Sequence, residues 1–269
     1  MKVANKVIVV TGAGNGMGRE MTLNLLRKGA MVAAVDINEE ALKQTATLAG
    51  ASGSDLAIYP LDITRKELVE ALPAQVIARF GAVDGIINNA GVIQPFVKLA
   101  DLPYEKIDFV MKVNLYGTLY MVKAFLPHLV ARPVAHIANI SSMGGFLPVP
   151  GQTVYGATKA AVKLMTEGLY SELLDTPVRV TIVFPGAIGT NITANSGVAA
   201  PTMAAEGAKK STYKTMDPAV AAEMIIDAIE QDKYSVHVGS DSSLMDKLYR
   251  LNPKGAAGMI YKQMKSLLG

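Results

Sequence analysis

Val7-Ile8-Val9-Val10-Thr11-Gly12-Ala13-Gly14-Asn15-Gly16-Met17-Gly18 is the stretch on which the fold of this chain turns. Val7 to Thr11 is an unbroken β-branched run, the pattern of a strand covered on both faces. It ends in glycines and passes straight into a helical pattern starting near Met17. Glycines at such a turn permit a tight bend and let the backbone approach a pyrophosphate, whose charge is favoured at a helix N-terminus. Gly12, Asn15, Gly16, Met17 and Gly18 are therefore candidate cofactor contacts. The spacing is T-G-x-x-x-G-x-G, with Met17 standing where the third glycine of the commoner G-x-G-x-x-G would fall.

Similar runs recur outward from this turn: Met31 to Asp36, Leu56 to Leu61, Val83 to Asn88, Val134 to Ser141, Val178 to Phe184 and Ser235 to Val238. Segments of helical length and pattern lie between them. Continuous apolar strands alternating with helices predict an α/β fold, a Rossmann-like doubly wound sheet of about seven parallel strands with helices on both faces. With 269 residues, no internal repeat and no Ser/Gly-rich linker, residues 1–269 read as a single dinucleotide-binding catalytic domain. Pro73 is expected to kink or split the third helix, and Pro127 to mark the end region of a long helix beginning near Tyr104. Asn191 to Met216 lacks clear periodicity, and residues 191–216 read as a substrate lid.

Composition narrows the function. Half of the residues are apolar and 18% are charged, as in a globular chain. The net charge of +3, from 26 basic and 23 acidic residues, is too small for a nucleic-acid partner. Without cysteine there are no disulfides, thiolate nucleophiles or Cys-based zinc sites; His128, His136 and His237 have no metal-ligand spacing, so no metal is expected. Lys2 and Lys6 lead directly into the first strand with no signal-peptide pattern, and no apolar stretch reaches membrane-spanning length, which makes a cytoplasmic location the expectation.

Strand ends carry the remaining candidates, because open α/β sheets bind ligands at their carboxyl edge. Asp36 closes the second strand, where a carboxylate accepts hydrogen bonds from a ribose diol and repels a 2′-phosphate. Neither Asn15 nor Ile37 beside it supplies a compensating positive charge, so NAD is expected and NADP disfavoured. Asp62, followed by Ile63, is placed to accept from an adenine amino group or to cap the next helix. In Asn88-Asn89-Ala90-Gly91, Asn88 reads as structural, whereas Asn89 and the small Ala90 and Gly91 let a cofactor come close to the backbone. Ser142 precedes Tyr155-Gly156-Ala157-Thr158-Lys159. A tyrosine and a lysine four apart share a helix face, and a nearby ammonium favours a phenolate.

Taken together, T-G-x-x-x-G-x-G, Asp36, Asp62, N-N-A-G, Asn114, Ser142, Y-x-x-x-K and Pro185-Gly186 with Thr190 resemble the short-chain dehydrogenase/reductase (SDR) family over residues 5 to about 240. The resemblance implies a hydride exchange between nicotinamide and a secondary alcohol or ketone, with Tyr155 as general acid/base. It implies that Lys159 lowers the tyrosine pKa and binds the nicotinamide ribose, that Ser142 orients the substrate oxygen and that Asn114 positions a relay water. It further implies that Thr190 and the backbone near Ile188 hold the carboxamide, with Pro185 and Gly186 as further cofactor contacts. Gly144 and Gln152 are candidate substrate contacts beside Ser142 and Tyr155. The competing readings are an acyl-carrier-linked 3-oxoacyl reductase, disfavoured by Asp36, and a non-catalytic NAD-sensing protein, disfavoured by the intact Asn114, Ser142, Tyr155 and Lys159. The family also implies a homo-oligomer, a dimer or tetramer.

Residues 241–269 read as a C-terminal helical extension. From Lys247 onward there are five basic residues and no acidic one. Leu244, Met245, Leu248 and Leu251 before Pro253, and Met259, Ile260, Met264, Leu267 and Leu268 after it, suggest two amphipathic helices. Their apolar faces are expected to pack on a neighbouring subunit or over the substrate cleft, with weak contact to an anionic membrane surface as the alternative.

Overall fold

The computed structural model describes residues 1–50, 54–198, 215–265 and 268. Within them, strands β1 (Val7–Thr11), β2 (Met31–Asp36), β3 (Leu56–Pro60), β4 (Gly85–Asn88), β5 (Ala135–Ile140), β6 (Val178–Pro185) and β7 (Ser235–Val238) form one sheet. Every pairing is parallel, in the order β3-β2-β1-β4-β5-β6-β7. The helices are α1 (Gly16–Arg27), α2 (Glu39–Ala49), α3 (Lys66–Phe80), α4 (Tyr104–Met111), α5 (Thr118–Val130), α6 (Thr153–Glu172), α7 (Ile192–Asn195), α8 (Pro218–Glu230), α9 (Ser240–Leu251) and α10 (Pro253–Met264).

Why β1 has no polar alternation is visible in its neighbours. Ile8 and Val10 face a core built with Met21 and Leu25 of α1, Leu42 of α2 and Ile225 of α8. Val7 and Val9 face the other core, with Val69 and Leu72 of α3, Phe125 of α5 and Leu169 of α6. Burying each such aliphatic or aromatic side chain contributes about 1.5–3 kcal/mol. The strand order reverses between β1 and β4, so the loops that follow these two strands diverge and leave a crevice at the carboxyl edge.

Two helices depart from expectation. Pro73 does not divide α3, which runs unbroken from Lys66 to Phe80. Its ring is buried on the face that also buries Val69, Leu72 and Val76, and that packing offsets the one donor lost. The long segment beginning at Tyr104 does reach Val130, with Pro127 in its last turn, but Lys112–Gly117 is wound as a π-helix between α4 and α5. Such a turn adds a residue to the helical circuit and commonly marks a functional site. Here it carries Asn114.

The extension does form two helices, separated at Asn252, whose side chain caps α10 by accepting from Gly255 N at 2.9 Å. Ala256 and Ile260 of α10 pack with Leu147, joined by Met143, Phe146, Met245, Tyr249 and Met264. The apolar face of α10 is thereby turned onto the segment that follows Ser142. Leu244, Leu251 and Met259 stay exposed, and Leu267 lies outside the described residues. No described helix is long and apolar enough to cross a membrane.

Candidate active site

The glycine turn is held from three sides. Gly12 (φ +68°) and Gly16 (φ +50°) adopt left-handed backbone that other residues rarely take. A Cβ on Gly18 would lie 1.9 Å from the carbonyl oxygen of Gly12, so α1 packs directly against the loop it follows. Asp36 accepts from Gly14 N at 2.9 Å and from Asn38 N at 3.0 Å, fixing the β2 end to the turn. Asn89 donates from Nδ2 to Thr11 O at 3.0 Å, while its own N–H donates to Thr11 Oγ1 at 3.0 Å. Asn15 provides α1 with no side-chain cap, and no acidic residue lies in the first turn. The helix therefore offers uncompensated N–H groups and the positive end of its dipole.

These groups line a cleft of about 690 Å³ along the carboxyl edge of the sheet. At one end stand Asp36, Ile37, Asn38 and Asp62; at the other, Ser142, Tyr155, Lys159 and Thr190. Asp62 also accepts from Thr64 N at 2.9 Å, steadying the entry to α3. A glycine cradle beneath a bare helix N-terminus, with an acceptor carboxylate one strand away, fits the pyrophosphate and ribose of a dinucleotide.

At the second end, α6 presents Tyr155 and Lys159 one turn apart. Ser142 Oγ accepts from Gly144 N at 3.0 Å, which leaves its hydrogen free, and the hydroxyl hydrogen-bonds the Tyr155 phenol. Ser141 is turned the other way: buried, it donates to Lys159 O at 2.8 Å. Lys159 is 4% exposed, donates to Ile140 O at 2.9 Å, and lies 6.0 Å from the Tyr155 ring centroid.

Burial dominates the titration of both groups. It pushes the Tyr155 phenol above its ordinary value, against the lowering effect of the Ser142 hydrogen bond. It brings the Lys159 amine down to about 8. In the protein alone the lowering influence on Tyr155 comes from Ser142, while the Lys159 ammonium donates to the Ile140 carbonyl. Tyr155 nevertheless keeps part of its surface open to the cleft.

Most of the expected contacts line this cleft, among them Gly12, Asn15, Gly16, Met17, Ile63, Asn89, Ala90, Gly91, Pro185, Gly186 and Ile188. Four stand behind its wall. Gly18 is the packing point under the turn, and Gly144 backs the Tyr155 ring. Asn114, fully buried, accepts from Val92 N at 2.9 Å and donates to Val92 O at 2.9 Å and Thr158 Oγ1 at 3.1 Å. Both amide hydrogens are thus committed to protein, which leaves only spare acceptor capacity on Oδ1 for a water. Gln152 is also buried, its amide donating to Gln94 O at 2.8 Å, which removes it from the substrate surface. Asn88 donates to Asn139 Oδ1 at 2.8 Å across β4 and β5.

Sequence reasoning missed Ile93, Phe109 and Lys112, which line the cleft together with Ile192 and Asn195 of the expected lid. Phe109 and Lys112, three apart on one helical face, were a readable pair, but only the π-turn and strand order bring that face over the crevice. Of the expected lid, α7 and the Ile188–Met216 bridge are described; residues 199–214 lie outside the described residues.

A doubly wound sheet whose switch-point cleft joins a dinucleotide cradle to a Ser-Tyr-Lys constellation has the arrangement of a dinucleotide-dependent oxidoreductase. The chain belongs to the short chain dehydrogenase family, whose profile matches residues 6–201. A Mycobacterium tuberculosis protein named as an oxidoreductase, SadH, is 36% identical over 256 residues, 91% of this chain and 90% of its own length. Among solved structures, a Burkholderia phymatum short chain dehydrogenase/reductase in complex with NAD superposes with a TM-score of 0.84 at 24% identity, covering 94% of this chain and 96% of the other. A Burkholderia cenocepacia short chain dehydrogenase in complex with NADP gives 0.80 at 26% identity, covering 97% and 99%. The family thus handles both dinucleotides.

Proposed function

We propose that this oxidoreductase prefers NAD and interconverts a secondary alcohol and its ketone. The observation that carries the reading is the Tyr155 phenol, hydrogen-bonded by Ser142 and one helical turn from Lys159, at the far end of a cleft whose near end carries Asp36. Bound NAD supplies the nicotinamide carbon that accepts or returns hydride. Ser142 holds the substrate oxygen against Tyr155, and Tyr155 takes the hydroxyl proton or gives it back to the carbonyl. Lys159, already poised near pH 8, exchanges that proton toward solvent and binds the ribose. Pro185, Gly186, Ile188 and Thr190 hold the carboxamide, Asp62 the adenine amino group, and Asp36 the ribose diol.

An apolar substrate is supported by Val92, Ile93 and Ile192 at the cleft wall, with Asn195 as a polar exception. The preference for NAD rests on Asp36 and on cationic lining that comes only from Lys112 and Lys159 among the described residues. Screening secondary alcohols, steroids, sugars and hydroxyacyl compounds with NAD and NADP, following absorbance of the reduced cofactor, tests both parts. Turnover of some secondary alcohol, faster with NAD, is the expected result. A clear preference for NADP sinks the assignment of Asp36, and a silent panel in both directions sinks the dehydrogenase reading.

A further inference from the structure

Helix α6 carries Tyr155 in its first turn, and Gln152 at its N-cap position makes no side-chain cap. The cap arrives from another part of the chain. Gln94, in the loop after β4, is fully buried. Its Oε1 accepts from Val154 N at 2.9 Å and from Tyr155 N at 3.0 Å, two of the donors a helix start leaves unpaired. Its Nε2 donates to Gly151 O at 3.0 Å, and its backbone oxygen accepts from Gln152 Nε2 at 2.8 Å. Every polar side-chain atom of Gln94 is thus spent on residues 151–155. Its two predecessors are pinned as well: Val92 exchanges both backbone groups with the Asn114 amide, and Ile93 N donates to Ser196 Oγ at 2.9 Å.

We propose that Gln94 is the positioning residue of Tyr155, setting where the phenol stands relative to Ser142 and the cofactor-facing Gly91; this rests on the acid/base reading of Tyr155. Gln94 does not line the cleft and acts only through the helix start. A buried side chain with both a donor and a branching acceptor at this point does what Leu of similar size does not: it ties the backbone N–H of the catalytic residue to the strand edge that carries the cofactor. A misplacement of the acid/base by about 1 Å costs on the order of a hundredfold in rate.

The test separates position from turnover. Tyrosines are replaced by 3-fluorotyrosine, and the fluorine resonance lost in Tyr155→Phe identifies that residue. In Gln94→Leu the Tyr155 resonance is expected to shift and broaden while the other tyrosine lines hold. With the best alcohol of the panel, kcat is expected to fall roughly tenfold or more while NADH affinity stays within about twofold. Gln94→Glu, which keeps an oxygen for both N–H groups but loses the donor to Gly151 O, is expected to restore the resonance and kcat in part. Should Gln94→Leu fail to fold, Gln94→Asn, one methylene too short to span the gap, is read by the same signals. An unmoved Tyr155 line in a folded variant overturns the proposal whatever the rate does. A wild type that turns over nothing instead overturns the dehydrogenase reading, and the resonance still decides the role of Gln94.

Discussion

Removing one oxygen from Tyr155 is the sharpest change available at the scale of a residue. The phenol is hydrogen-bonded by Ser142 and stands at the opposite end of the cleft from Asp36, so Tyr155→Phe leaves the cradle and Asp36 untouched. Turnover is expected to fall by about 10²- to 10⁴-fold, with NADH affinity by fluorescence titration unchanged. Substantial surviving activity reassigns the acid/base. Lys159 offers a second, opposite signature. Its amine is held at about 8 from an ordinary 10.5 by burial, so between those pH values the unfolded chain binds a proton that the folded one has released. Stability therefore rises with pH through that window, and the cost of the buried amine is fully present below pH 8. Lys159→Met is expected to abolish turnover yet stabilise the cofactor-free protein by about 1–3 kcal/mol at pH 7, the lower figure allowing for the lost bond to Ile140 O. Urea unfolding at pH 7 and at pH 10 reads it: the gain shrinks at the higher pH, and a variant less stable than wild type at pH 7 contradicts a destabilising lysine.

At the scale of elements, the start of α1 sets two effects against each other. Helix propensity alone favours alanine over glycine by about 1 kcal/mol. A Cβ at Gly18, however, would sit 1.9 Å from Gly12 O, which is backbone and cannot turn aside. The clash is expected to win, so Gly18→Ala destabilises by about 1–3 kcal/mol and weakens NADH binding at least tenfold, as the turn is pushed out of shape. Unfolding midpoint and fluorescence titration are the measurements; a stabilised variant with full affinity removes Gly18 from the cradle. The strands were legible because both faces of the sheet are covered and β-branched runs need no decoding, with ends such as Leu61 and Val83 off by a residue or two. The glycine cradle was legible for the same local reason. The π-turn at Lys112–Gly117 was not, since no residue type specifies it and the Asn114 bonds made within it reach Val92 and Thr158, distant in sequence. Nor was the burial of Gln152, whose partner Gln94 is brought up by the sheet order, a contact distant in sequence. Pro73 does not split α3, since propensity weighs its missing donor and not the apolar surface that its ring fills.

Across the whole molecule, the parallel sheet leaves its strands largely to apolar side chains; His136, the second residue of β5, and Thr181, inside β6, are buried polar exceptions that meet each other. His136 is 2% exposed. Thr181 Oγ1 donates to Lys233 O, so the imidazole must donate from Nε2 to Thr181 Oγ1, 2.8 Å away. That fixes the neutral tautomer, with a bare Nδ1 lying 3.5 Å from Asp232 Oδ1. Burial holds the imidazole pKa down to about 3, from 6.5. Below pH 6.5 the unfolded chain therefore takes up a proton that the folded chain refuses until about pH 3, and stability must fall as the pH drops through that window. The slope from this one group approaches 1.4 kcal/mol per pH unit, for a total of about 5 kcal/mol, a large part of the margin of an ordinary domain. His136→Gln keeps a donor for Thr181 and does not titrate. Its stability at pH 7 is expected to be lower than that of wild type, because shape complementarity in the strand is lost, but its loss between pH 6.5 and pH 4 should be smaller by about 2–3 kcal/mol. Urea midpoints for the two proteins across that range measure the difference, and parallel curves would mean that another group, such as one of the surface carboxylates, governs the acid limb.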